Sequence, residues 1–153
     1  MAKDVWKFVA PEHLYYCYEC SRCTGSCPAA MVMDTPGPRR LLIKCLHEGP
    51  QAVIQEESLW FCTICHVCED RCPQEIHITD LLTALMNLAS RKGNVPERVK
   101  AAVETIARTG RSVVTYRVDE ERLRLGLKPL GRIDTHELEI IAARTGLLEK
   151  KSS

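Results

Sequence analysis

Two stretches of this chain share one cysteine spacing, and that spacing constrains the fold more than anything else in it. Residues 17–28 read CYECSRCTGSCP and residues 62–73 read CTICHVCEDRCP, each a C-x2-C-x2-C-x3-C-P run. Eight of the nine cysteines fall in these runs, leaving only Cys45 outside. Cys17, Cys20, Cys23 and Cys27 recur as Cys62, Cys65, Cys68 and Cys72, always 45 residues on. An apolar residue and two aromatics lead into each run: Leu14-Tyr15-Tyr16 before the first and Leu59-Trp60-Phe61 before the second. The pattern reads as an internal duplication with approximate two-fold symmetry, in which the aromatics shield the two cysteine sites from water.

The spacing has a chemical reading. Three cysteines placed three apart on a tight turn converge on three corners of a small iron–sulfur cube. The fourth, followed by a proline that turns the chain away, points out of that site. This is the run that holds four-iron clusters in bacterial-type ferredoxins, and in two-cluster members the fourth cysteine ligates the other cluster. By that rule Cys17, Cys20, Cys23 and Cys72 hold one [4Fe-4S] cluster, and Cys62, Cys65, Cys68 and Cys27 hold the second. Cys23 and Cys27 then serve different clusters across four residues of chain, which limits the separation to about 10–15 Å. Two centres that close form a short electron wire.

Two other readings of the cysteines compete with this one. Zinc sites also use C-x2-C pairs, but two pairs rather than a triplet with a trailing Cys-Pro. Disulfide frameworks suit short secreted chains, and no secretory h-region opens this one. A zinc-stapled helical adaptor without redox work is the alternative from a different class. No catalytic residue stands out.

The remaining composition excludes more than it assigns. The chain has 153 residues, 21 Lys and Arg against 20 Asp and Glu, and a formal net charge of +1. That balance gives no electrostatic reason to expect a nucleic-acid partner. No stretch approaches the ~20 apolar residues of a membrane span. Cysteine-rich composition without a leader points to a reducing, cytoplasmic setting where thiolates stay available for iron.

Between the runs, Pro38 suits a first helical turn, and Leu41, Leu42, Cys45 and Leu46 share one helical face that Gly49-Pro50 ends. Residues 51–57 suit a further short turn. A helical linker of this kind suggests the all-helical type of two-cluster domain, so the expected class is all-α. Cys45, among leucines, reads as a small buried apolar residue rather than a ligand. A helix is expected over 80–92, with Leu81, Leu82, Leu85, Met86, Leu88 and Ala89 as its apolar stripe and Gly93 as its stop. Residues 1–10 read as an arm anchored by Trp6 and Phe8. Residues 1–93 are thus expected to form the cluster domain and residues 94–153 a helical extension used for docking.

In that extension, residues 96–109 read as a helix with Val99, Ala102, Val103 and Ile106 on one side, ended by Gly110. Residues 113–116 are β-prone but have no partner strand, so an extended loop is expected. Residues 119–125 suggest one or two helical turns. Asp134 with Glu137 suggests a capping box opening a last helix, with Leu138, Ile141, Ala142 and Thr145 inward and Gly146 as its end. Residues 149–153 are a charged, fraying tail. His66, inside the second run, is either a loop-surface residue, the commoner case, or a group that tunes a cluster through a hydrogen bond to sulfur. His47, His77 and His136 read as helix-end or loop residues. Arg22 and Arg71 flank the cysteines and either offset cluster charge, meet a partner's carboxylates, or form a solvated face.

With CYECSRCTGSCP, LWFCTICHVCEDRCP, the offset between them and a helical extension closing on Arg144-Thr145-Gly146, the chain resembles the C subunit of heterodisulfide reductase. The resemblance is specific over roughly residues 14–92. It implies an α-helical ferredoxin whose two [4Fe-4S] clusters pass electrons from a flavin- and iron–sulfur-containing A subunit to a catalytic, disulfide-reducing B subunit. It also implies that this chain itself is non-catalytic. The doubled-cysteine motif of the B subunit and a G-x-G-x-x-G dinucleotide fingerprint are both missing from this sequence. Succinate dehydrogenase, fumarate reductase and glycolate oxidase iron–sulfur subunits share the two runs, so a quinone-linked relay is the alternative within the same class. A succinate dehydrogenase subunit also carries a plant-type C-x4-C-x2-C run, which this sequence lacks.

Overall fold

The computed structural model describes residues 2–113, 115 and 117–145. Among them, ten α-helices follow in order: α1 (Pro11–Leu14), α2 (Arg22–Gly25), α3 (Pro28–Val32), α4 (Gly37–Glu48), α5 (Pro50–Val53), α6 (Val67–Asp70), α7 (Ile78–Arg91), α8 (Glu97–Thr109), α9 (Val118–Arg124) and α10 (His136–Thr145). Two 3-10 turns, Ala2–Lys7 and Glu57–Phe61, complete the set. No strand occurs among the described residues, and the class is all-α. The chain divides into two compact units, residues 1–95 and 96–153.

The first unit is built around α4 and α7. Leu41, Leu42 and Cys45 of α4 are buried, and Leu46 packs against the same core. On α7 the apolar spacing is dense enough to bury Ile78, Thr79, Leu81, Leu82, Ala84, Leu85, Leu88 and Ala89, with Met86 packed beside them. The two helices pack on each other. The short helix α2, inside the first cysteine run, packs on α4, and α6, inside the second, packs on α7. Helices α2 and α6 also meet, bringing the two cysteine loops together. Gly49, at φ 84°, ends α4, and its N–H bonds to the Cys45 carbonyl.

Gly37 shows why the junction before α4 needs glycine. Its φ is +73°, and a Cβ there would sit 2.7 Å from Cγ2 of Thr24 in the first cysteine loop. Only the absence of a side chain lets the helix start press against that loop.

Several expectations are corrected within this unit. The N-terminal segment is anchored by Val5 and Val9, both buried, while Phe8 is 69% exposed and Trp6 packs only partly. Phe8 and Val9 lie just past the end of the 3-10 turn at Lys7, where the chain turns Val9 inward and leaves Phe8 outside. The residues leading into the cysteine runs also differ. Leu14 and Leu59 are fully buried, but Tyr15 and Tyr16 are exposed, whereas Trp60 and Phe61 are half-buried. The duplication preserves the leucine and not the aromatic shield. The short turn expected over 51–57 occurs as α5 and the start of the following 3-10 turn.

The second unit has a thinner core. Among its described residues only Ala107 and Ala142 are buried, and α8 packs on α10. The covered line on α8 runs through Val99 and Val103, both half-buried, to buried Ala107, with Ala102 and Ile106 exposed. On α10, Ala142 is buried but Ile141 is 53% exposed. One helix neighbour covers a narrow stripe, not the wide face that the sequence pattern offers. The start of α10 is also capped differently. The Asp134 carboxylate accepts the His136 N–H at 3.0 Å, and Thr135 Oγ1 donates to Glu139 at 3.3 Å, two separate contacts in place of the Asp134–Glu137 box. Helix α9 spans Val118–Arg124, close to expectation. Val114 and Tyr116 of the β-prone run, Gly146 and the tail 149–153 lie outside the described residues.

Candidate iron–sulfur centres

The cysteine loops share an unusual backbone. Glu19 and Ser21 have φ of 54° and 62°, and their counterparts Ile64 and His66 have φ of 53° and 60°. Left-handed conformations cost L-residues roughly 1–2 kcal/mol each, and Ile64 is β-branched, which makes it less tolerant still. The same strain at the same two places in both halves is the device that folds each triplet inward. It turns the backbone so that amides face sulfur. The Glu19 N–H donates to Cys17 Sγ at 3.4 Å, and the Ile64 N–H donates to Cys62. The Ile76 N–H donates to Cys72 Sγ at 3.4 Å.

None of the nine cysteines forms a disulfide. Exposure matches across the duplication: Cys23 and Cys68 are buried, Cys20 and Cys65 exposed, and Cys17, Cys62, Cys27 and Cys72 intermediate. Two cavities lie among them. One encloses about 370 Å³ including its mouth and is lined by Cys17, Cys20, Cys23 and Cys72, with Arg22 and Arg39 beside them. The other encloses about 490 Å³ and is lined by Cys27, Cys62, Cys65 and Cys68, with Ser58 and Thr79. Each cavity therefore brings together three cysteines of one run and the last cysteine of the other. Cys45 lines neither; it is 1% exposed, and burial pushes its thiol up to about 11.

The thiols crowd one another. Burial pushes the Cys62 thiol up, the Ile64 N–H opposes this, and the closeness of Cys27 and Cys65 adds to the rise. Burial likewise raises Cys23 and Cys68, each partly offset by a hydrogen bond, to Thr24 and Thr79 respectively. Such a nest of sulfurs favours thiolates only when cations enter it, because a coordinating metal deprotonates a thiol outright. The first turn of α4 (Gly37, Pro38) lines the larger cavity and Ile78, the first residue of α7, lines the smaller. The first turns of both helices, where the helix dipole is positive, thus sit beside the cysteines. The Ser58 hydroxyl is a buried polar atom without a partner among the described residues and lines the larger cavity. A free donor there suits an acceptor-rich sulfur cluster. Four sulfurs, a cavity and inward-turned amides at each place fit a four-iron cluster.

Helix caps tie these loops to the core, and sequence reasoning missed them. Thr24 and Glu69 each follow the third cysteine of their run. Thr24 Oγ1 accepts the Arg39 N–H of α4 at 3.3 Å, and Glu69 Oε1 accepts the Thr79 N–H of α7 at 2.8 Å. Neither α4 nor α7 has a side-chain cap from its own N-cap residue. Thr79 Oγ1 in turn lies 3.6 Å from Cys68 Sγ. The shared position after the third cysteine was the available signal. His66 meets Glu69 Oε2 through Nδ1 at 3.0 Å. That contact pushes its pKa up, and Nδ1 is engaged by a carboxylate, not by a cysteine sulfur. His47, His77 and His136 do lie at helix ends, and Arg71 lines neither cavity.

Residues 16–77 match the family described as a 4Fe-4S dicluster domain. Over a longer stretch, the chain is 32% identical to the C 2 iron–sulfur subunit of CoB–CoM heterodisulfide reductase from Methanocaldococcus jannaschii. That match takes in 139 residues, 88% of this chain and 73% of the relative. It is also 32% identical over 133 residues to the C subunit of the ferredoxin/F(420)H(2)-dependent CoB–CoM heterodisulfide reductase of Methanosarcina acetivorans, covering 85% and 81%. The chain belongs to the family of heterodisulfide reductase C subunits. A third member of the family, from Methanopyrus kandleri, is 35% identical over 113 residues but is covered over only 58% of its length. These C subunits are iron–sulfur components of an oxidoreductase, and this one shares the dicluster domain in an all-α frame. Among the described residues, no helix is long and apolar enough to cross a membrane.

Proposed function

We propose that this chain is a relay: two [4Fe-4S] clusters, one on Cys17, Cys20, Cys23 and Cys72 and one on Cys62, Cys65, Cys68 and Cys27, carry electrons through residues 1–95. In a heterodisulfide reductase-like complex the donor is a flavin- and iron–sulfur-containing A subunit and the acceptor a catalytic B subunit, in the cytoplasm. The observation that carries this reading is the lining of each cavity by three cysteines of one run and the fourth of the other.

When bound, each cluster stores and releases one electron without breaking a bond. The protein's own groups do the rest. Eight thiolates fix the clusters, and the amides of Glu19, Ile64 and Ile76 steady the sulfurs of Cys17, Cys62 and Cys72. Leu41, Leu42, Ile76, Ile78 and Leu82 line the inner walls of the cavities and keep water from that side. Cys20 and Cys65, the exposed ligands, leave each site an edge toward solvent, where a partner's redox centre can approach. Residues 96–153 serve docking: Leu123, Leu125, Leu127, Ile140 and Ile141 are exposed at 39–73%, more apolar surface than a solvated extension needs.

Anaerobic purification tests the reading. The chain is expected to be brown, with about eight irons and matching acid-labile sulfide, as two cubanes require. A colourless chain holding stoichiometric zinc would contradict it. Co-purification with the flavin and disulfide-reducing subunits would support the complex, and co-purification with a membrane quinone-reducing subunit would overturn that part alone.

A further inference from the structure

The two centres are built alike but charged differently, and part of the difference sits at one equivalent position, Thr24 in the first half and Glu69 in the second. Each loop is tied to its long helix by one hydrogen bond, from a helix N–H to the residue after the third cysteine. In the first half the pair is Thr24 and Arg39, neutral and cationic. In the second it is Glu69 and Thr79, anionic and neutral. Arg39 lines the cavity of Cys17, Cys20, Cys23 and Cys72, and Arg22 is the other charged group lining it. No lysine or arginine lines the other cavity, although the His66 ring does; Glu69, outside that lining, holds Thr79, whose hydroxyl meets Cys68, and its carboxylate lies close enough to act on the Cys68 sulfur.

Counter-charges are present on both sides, and they are the more solvated member of each pair. Glu19 meets Arg39 at 2.9 Å with 55% of its side chain exposed against 35% for Arg39. His66 meets Glu69 at 3.0 Å with 54% exposed against 18% for Glu69. Water screens the more exposed member of each pair more strongly, and this holds for His66 even though its ring edges the second cavity. Arg22 adds a second cation to the first site. The hydroxyls of Ser58 and Thr79 favour the second site, but as dipoles with shorter reach than full charges.

Reduction adds one negative charge to a cluster, so a cationic surrounding favours it and an anionic one opposes it; net charge is among the terms that set these potentials. On the two-cluster reading above, we infer that the cluster on Cys17, Cys20, Cys23 and Cys72 has the higher midpoint potential, set by Arg39 on its side and Glu69 on the other. A single electron from a one-electron donor therefore resides there at equilibrium. The other cluster is the lower-potential station of the pair.

The test is a redox titration of the full chain, followed by paramagnetic resonance, after iron and sulfide counts have established two clusters. Two one-electron midpoints are expected. Arg39→Gln is expected to lower the upper midpoint and leave the lower in place. Glu69→Gln, which keeps a carbonyl to accept the Thr79 N–H, is expected to raise the lower midpoint and leave the upper in place. A tenfold change in each one-electron equilibrium corresponds to 59 mV, and roughly that shift is expected. Arg39→Lys restores the upper value. Glu19→Gln, which removes only the exposed counter-charge, raises it, so the sign is readable even where R39Q fails to hold its cluster. Coincident midpoints in the native chain, or R39Q and E69Q acting on the opposite midpoints or on neither, would overturn the assignment. A chain without two clusters would instead overturn the function itself.

Discussion

Residues 1–95 and 96–153 spend their apolar residues in opposite ways. In the first unit the leucines of α4 and α7 are enclosed, and nineteen buried residues form one connected core around the cysteine loops. In the second, the described helices bury two alanines and leave Leu123, Leu125, Leu127, Ile140 and Ile141 facing out. The first unit has what it needs to hold strained loops in place. The second has helices of good local pattern with more apolar surface than its own packing uses. The contrast teaches that residues 1–95 enclose an apolar core of their own, whereas the described part of 96–145 leaves apolar side chains at its surface, the surface that the proposed docking role would use.

Targeted substitutions would break or sharpen that contrast. Leu85→Ala, at a fully buried site on α7, is expected to cost about 2–5 kcal/mol in denaturant unfolding, with iron loss following. Ile141→Ala on α10 is its counterpart and is expected to stay within about 0.5 kcal/mol; equal losses would erase the distinction between the units. Gly37→Ala combines a left-handed φ with a 2.7 Å approach to Thr24 and is expected to cost about 1–3 kcal/mol, with damage concentrated at the first cysteine loop. Replacing Leu123 and Leu127 together by Ser is expected to leave iron content and melting temperature unchanged while weakening capture of a partner protein. Unchanged capture would show that docking lies elsewhere. Cys45→Ala is the smallest: both clusters remain, because Cys45 lines neither cavity. Its burial-raised pKa, about 11, leaves on the order of one thiolate in a thousand at pH 8. Alkylation of the folded holo chain at that pH is therefore expected to spare Cys45, and rapid labelling would contradict its burial.

The sequence spoke clearly where geometry is local. Cysteine spacing, the stripe on α7 and the glycine stops at 49, 93 and 110 are all short-range signals, and each landed within a few residues. It was silent where tertiary contacts decide. Nothing in the residue types of Ile64 or His66 announces a positive φ; the cysteine loop imposes it. Thr24 and Glu69 cap helices 15 and 10 residues away, beyond the reach of a local capping pattern, while the local pattern at Asp134 named the wrong partner. Phe8, Tyr15, Tyr16 and Ile141 were misplaced for one reason. An apolar residue on a short or singly packed element is covered only where a neighbour lies, and sequence does not say where neighbours lie.

The exchange of the fourth cysteines between the two halves is the claim on which the relay rests, and pairing of spectral phenotypes tests it most directly. Cys27→Ser, Cys62→Ser and Cys17→Ser would be prepared anaerobically as full-length chains and compared by paramagnetic resonance in the reduced state. The account predicts that Cys27→Ser alters the same cluster signal as Cys62→Ser and leaves intact the one altered by Cys17→Ser. A Cys27→Ser spectrum matching that of Cys17→Ser would show each run holding its own cluster and would contradict the account.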